Sequence, residues 1–227
     1  MMKNPGCILF TIVLLTVLAI TIPYLWQVLM IVLRPQGISV WRQLELYQWL
    51  ALGMGLFILI KGMVRNNLTW LETFSHEFTH TIVALCFFRR IHSFNAGEGS
   101  GVIYTSGTDT ISHVPVSLAP YCFPVFTYML LAIRCLIVSQ GLCVFDVLVG
   151  LTLALHVHCF LTQTGSYQTD INQFPLPFSY LYIIVMNILN ICIIWVAFFP
   201  QYNLYTSFWR MLCAQWEQLQ VLYAMIF

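Results

Sequence analysis

The feature that constrains this chain most is the run from residue 8 to residue 33, ILFTIVLLTVLAITIPYLWQVLMIVL, which contains no charged side chain. A helix needs only ~20 apolar residues to cross a bilayer. Similar runs recur at about residues 46–60, 142–161 and 178–199. Only 7% of the 227 residues are charged and 60% are hydrophobic. A soluble domain carries roughly a quarter charged residues, so a soluble fold of this length could not cover its surface. Hydrocarbon leaves no partner for an unpaired backbone amide, which restricts spanning structures to helices and closed barrels. The run lengths select helices. The expected fold class is an α-helical integral membrane protein with about six transmembrane helices, placed as a multi-pass protein in the cell membrane.

Read in order, the N-terminus MMKNPGCILF resembles the start of a secretory signal. Its apolar run continues through Thr21 to Leu33 without a small-x-small cleavage site, so a retained first span is expected. Arg34-Pro35-Gln36-Gly37 forms a turn, Trp41 to Glu45 suits headgroup depth, and a second span ends at Lys61-Gly62. A third apolar segment runs from Leu71 to Arg90, with Arg89 and Arg90 read as interfacial anchors. Residues 91–114 differ in kind: glycines at 97, 99, 101 and 107 punctuate β-prone pieces such as Val102-Ile103-Tyr104-Thr105. That pattern predicts a small Gly-rich, β-hairpin-like insertion whose free edge could pair with an extended peptide. Pro115, Pro120 and Pro124 introduce a span to about Val138, and two further spans follow. Residues 202–227 space Phe208, Leu212, Trp216, Leu219 and Tyr223 at helical intervals, predicting a C-terminal amphipathic helix at the interface. Three units result: residues 1–64 as a pair of spans, 65–180 as a membrane core, and 181–227 as a last span with its tail.

A net charge of +1 and the lack of any basic run exclude nucleic acid as a partner. The eight cysteines form no CxxC pair and sit mostly within apolar runs, as small core thiols do.

Chemistry concentrates in His76-Glu77-Phe78-Thr79-His80, an HExxH motif. Two imidazoles four residues apart share one helix face and can hold one zinc ion. The carboxylate beside the first can then take a proton from a metal-bound water. With six His and five Glu in the chain, shuffling would produce this motif in roughly 0.3% of cases. Thr73, Ser75, Thr79 and Thr81 surround it, so this helix should face other helices. Ionisable groups inside a span are costly and mark functional sites. Zn²⁺ is the expected cofactor, with Glu77 as the catalytic base.

A catalytic zinc takes three protein ligands and leaves a fourth position open. The third must come from elsewhere. Of the aspartates, Asp109 lies in the Gly/Thr-rich insertion and Asp146 near a helix start, where capping or first-turn placement explains it. Asp170 follows a span within the polar stretch TQTGSYQTDINQ and is the first choice. His158 and His156 are rivals; two residues apart, they face nearly opposite sides of a helix, so at most one can reach the ion. His92 and His113 are weaker candidates.

HEFTH in a membrane segment, then a Gly-punctuated strand-like insertion, two spans and a later aspartate, resembles the site-2 protease family of intramembrane zinc metallopeptidases. The resemblance covers roughly residues 65–180. It implies that His76, His80 and Asp170 bind zinc and that Glu77 activates water. The stretch Gln168-Thr169-Asp170-Ile171 lacks the glycine that follows the aspartate in that family, and no soluble regulatory domain accompanies the core. The expected function is zinc-dependent endopeptidase activity on a membrane-embedded or membrane-proximal protein or peptide, with the lipid bilayer as the other partner. The competing expectations are a structural or transport metal site, and a protease-like scaffold that binds membrane helices without cutting them.

Overall fold

The computed structural model describes residues 5–33, 39–64, 68–106, 110–136 and 142–198, together with Trp216 and Gln220. In chain order these form α1 (Pro5–Leu33), α2 (Ser39–Val64), α3 (Thr69–Cys86), β1 (Ile91–Ala96), β2 (Gly101–Thr105), α4 (Thr110–Leu118) with a 3-10 turn (Ala119–Tyr121), α5 (Val125–Arg134), α6 (Leu142–Gln163), α7 (Thr169–Asn172) and α8 (Leu176–Phe198).

Among the described residues, four helices are long and apolar enough to cross a membrane: Ile8–Trp26 within α1, Tyr47–Val64 within α2, and all of α6 and α8. The segment expected to span from Pro115 to about Val138 is instead broken. Its two halves, Ser112–Tyr121 and Val125–Arg134, meet at 88° and make a fifth candidate only if the bent pair counts as one span. The motif helix α3 is not among the four. Its Thr, Ser, His and Glu side chains lower its apolarity, so the described residues hold four or five candidate spans where about six were expected. The expected amphipathic tail lies outside the described residues apart from Trp216 and Gln220, both helical and exposed.

The bend in the chain is held by α8. Pro120 and Pro124 interrupt the helical ladder there and free backbone carbonyls. Asn187 Nδ2 donates to the Tyr121 carbonyl at 3.0 Å, and Asn190 Nδ2 donates to the Cys122 carbonyl at 2.7 Å. The first cluster of core side chains, including Leu14, Leu118, Tyr121, Phe178 and Ile183, joins α1, α4, the 3-10 turn and α8. α2 and α6 meet backbone to backbone through glycines: a Cβ added at Gly53 would stand 2.8 Å from the Leu151 nitrogen, and one at Gly150 would stand 3.0 Å from the Leu50 carbonyl carbon. Small residues permit such close approach where apolar burial alone cannot drive helices together.

The hairpin forms as an antiparallel pair with Phe94 opposite Ile103 and Ala96 opposite Gly101. It is shorter than expected, because the chain is already helical from Thr110. Val114 and Leu118, both fully buried, lie four residues apart on one face and pack into the core, which overrides the local β-preference. The junction of α3 and β1 is tight. Phe88 takes a φ of 57°, a left-handed conformation uncommon for a bulky side chain, and the Arg89 N–H bonds back to the Ala84 carbonyl at 2.9 Å. That turn swings Arg89 inward, where its Nε donates to Ser112 Oγ at 2.8 Å. Arg89 is buried rather than anchored at the interface as expected.

Candidate functional site

Helical spacing puts His76 and His80 one turn apart on α3, with ring centroids 4.9 Å from each other. α7, the single turn between α6 and α8, brings Asp170 to them. Asp170 Oδ2 stands 3.3 Å from His76 Nε2 and 3.4 Å from His80 Nε2. One ligand atom from each residue falls within 4.8 Å of the others, a grouping able to hold a metal ion. Three residues named from the sequence therefore converge, although Asp170 lies 94 positions from His76.

The far side of each imidazole decides what the near side offers. His80 Nδ1 lies 2.7 Å from the Val116 carbonyl, which can only accept, so Nδ1 carries the proton and Nε2 of the neutral ring presents a lone pair. His76 Nδ1 faces Gln163 Oε1 at 3.2 Å in the same sense. Asp170 Oδ2 also accepts from the Tyr121 hydroxyl at 3.3 Å. Lone pairs and a carboxylate turned on one point require a cation, either a proton on an imidazole or a metal ion. The spacing fits a metal. Ligands at about 2.05 Å around a tetrahedral ion stand about 3.3–3.4 Å apart, which are the separations measured to Asp170. Without a metal, protons on the imidazoles fill that role: burial pushes the Asp170 carboxyl up, but hydrogen bonds and charge from protonated His76 and His80 outweigh it and hold the group below the ordinary carboxylate range.

Glu77 is 8% exposed and lines the same cavity, and its carboxylate has no hydrogen bond to another described residue. The start of β2 presses on it: a Cβ at Gly101 would stand 2.6 Å from Glu77 Oε1 and 2.7 Å from its Cδ. The cavity holds about 630 Å³ and has a polar wall that includes Thr73, Ser100, Ser117, Gln168 and Gln173. Residues 99–105, the turn and β2, form one side of it.

The rival histidines are engaged elsewhere. His158 Nε2 donates to Glu72 Oε1 at 2.7 Å, and its Nδ1 is 2.9 Å from Lys61 Nζ, so the ring bridges a carboxylate and an ammonium. His156 Nε2 lies 3.4 Å from Asn187 Oδ1. His113 lines the cavity and packs its ring on Phe174. His92 is exposed on β1. Asp146 is not a helix cap: it is buried in α6 and accepts from Arg134 Nε at 2.8 Å. Sequence reading missed Gln163, the Val116 carbonyl and Tyr121 as partners of the motif. The only signal for Gln163 was its polarity at the end of an apolar helix, and a backbone carbonyl leaves none.

No protein-family model, curated protein or solved structure matches the chain.

Proposed function

We propose that the chain is a zinc-dependent membrane endopeptidase of the site-2 protease type. The observation that carries this reading is the convergence of His76, His80 and Asp170, with Asp170 at tetrahedral spacing from both rings and Glu77 beside them in one cavity. His76, His80 and Asp170 would hold Zn²⁺, with Nε2 of each ring turned inward by the acceptor on its Nδ1. When bound, zinc supplies a Lewis acid that polarises the scissile carbonyl and acidifies a water. Glu77 takes the proton of the attacking water and passes it to the leaving amine. Among the described residues no hydrogen bond competes for the carboxylate, which leaves it available for that transfer. β2 lies along the cavity, and its outer edge offers backbone groups to an extended substrate, which would add as a strand.

The test is metal analysis of the purified chain beside cleavage of membrane-protein substrates. The parent should carry about one zinc per chain, and Glu77→Gln should keep that zinc while losing cleavage. A zinc-free parent of undiminished thermal stability would defeat the metallopeptidase reading, and a Glu77→Gln variant that still cuts would remove the proposed base.

A further inference from the structure

The depth of the site follows from how the chain passes between spans. α6 and α8 are consecutive membrane-length helices of 22 and 23 residues. The segment between them, residues 164–175, leaves one span and enters the next, and a turn of that kind belongs at a membrane face. Asp170 lies inside this connector. His76, 3.3 Å from Asp170, is also bonded through Nδ1 to Gln163, the last residue of α6. A helix of 22 residues is about 33 Å long, close to the ~30 Å hydrocarbon thickness, so Gln163 reaches the boundary when α6 spans.

A second span ends at the same level. Lys61, in the last turn of α2, meets His158 less than two turns before the end of α6, and His158 meets Glu72 in the first turn of α3. The motif helix starts where α2 stops and is itself less apolar than the four spans. The polar cavity wall matches that placement, since Ser100, Ser117, Gln168 and Gln173 would be expensive at mid-bilayer.

We infer that the reactive centre sits at the membrane–water boundary and that the substrate is a juxtamembrane segment. The chain takes an extended stretch just outside a spanning helix, not the unwound middle of one. This rests on the endopeptidase reading above. A substrate cut there need not expose backbone amides to hydrocarbon, and the extended form that β2 would pair with is available without melting a span.

Two measurements on the full chain in phosphatidylcholine nanodiscs, where both faces are open, test this. The first labels Ser166→Cys, an exposed position in the connector, with a membrane-impermeant maleimide. Peptide mapping by mass spectrometry separates that label from the native thiols. Leu52→Cys, 47% exposed in the middle of α2, is the buried-in-lipid control. Ser166→Cys should react in the nanodisc, and Leu52→Cys only after detergent. Protection of both, with both reactive in detergent, overturns the boundary placement.

The second presents zinc-loaded protein with single-span polypeptides carrying a randomised cassette at the centre of the span, at its edge, or beyond it. Edge cassettes should be cut more than about tenfold faster than central ones, because unwinding within hydrocarbon leaves backbone groups unpaired. Equal or faster cutting at the centre overturns the substrate inference while sparing the peptidase reading. No cutting of any cassette by zinc-loaded protein brings down both, and the labelling still reports where the site lies.

Discussion

Gly101→Ala is a perturbation that reaches the proposed base without touching a ligand. Gly101 opens β2 opposite Ala96, and a Cβ there would stand 2.7 Å from the Glu77 Cδ and 2.6 Å from its Oε1. The Glu77 Cγ would be nearer still, and ordinary contact begins at about 3.5 Å, so one partner must retreat by more than about 1 Å. β2 is tied to β1 by its ladder. Glu77 has only its own rotamers to resist with, so the carboxylate moves. A misplacement of about 1 Å at a reacting group costs on the order of a hundredfold in rate, or about 2.7 kcal/mol of transition-state stabilisation. The fold should hold, because alanine fits a strand and narrows the unfolded ensemble slightly.

The assay follows hydrolysis of an internally quenched peptide pool in detergent, with zinc counted in the same samples. Gly101→Ala should keep parental zinc and lose about a hundredfold in turnover. Combined with Glu77→Gln it should cost nothing further, since both changes act on one group. Parental turnover with parental zinc would show that β2 is not held against Glu77 in the working enzyme. Loss of zinc would show that the imidazoles, not the carboxylate, had given way.

Gln163→Leu removes the acceptor on His76 Nδ1 at 3.2 Å; zinc affinity measured by chelator competition should fall about 10–100-fold, as for other partners of metal-bound histidines, and an unchanged affinity would mean that the ring is oriented elsewhere. Gly150→Leu forces a side chain against the Leu50 backbone, so the α2–α6 seam should open at a cost of about 1–3 kcal/mol, read as a lower melting temperature in detergent. Arg134→Met strands the buried Asp146 carboxylate and should destabilise the bundle by about 3 kcal/mol, whereas the double change Arg134→Met with Asp146→Leu should recover most of that loss in the same melt.

How far the site was legible varies residue by residue. His76, Glu77 and His80 were readable because their relation is local: four residues in a helix always return to the same face. Asp170 could be named from its polar neighbourhood but not separated from His158 by spacing. Geometry separates them, since His158 is spent between Glu72 and Lys61 while α7 delivers Asp170. The hairpin was legible in its glycines, but its end was not. Val114 and Leu118 pack into a core built from α1 and α8, more than fifty residues distant on either side. Arg89 was misread for a comparable reason: its direction depends on one left-handed residue, Phe88, that no propensity would assign.

The sequence by itself determined the solvent and the chemistry. Long uncharged runs commit the chain to helices in a membrane, and HEFTH commits two imidazoles and a carboxylate to one helical turn. Both are short-range properties, set by side-chain hydropathy and by the helical repeat. Only the tertiary structure decided which distant groups converge on the motif. Asp170, Gln163, the Val116 carbonyl and Gly101 reach the motif across 24 to 94 positions of chain. Their arrival depends on where helices end and how closely backbones approach. The failure of α3 to qualify as a span was in principle written in its composition. Its setting is tertiary: Gln163, at the end of a helix long and apolar enough to span, bonds to His76.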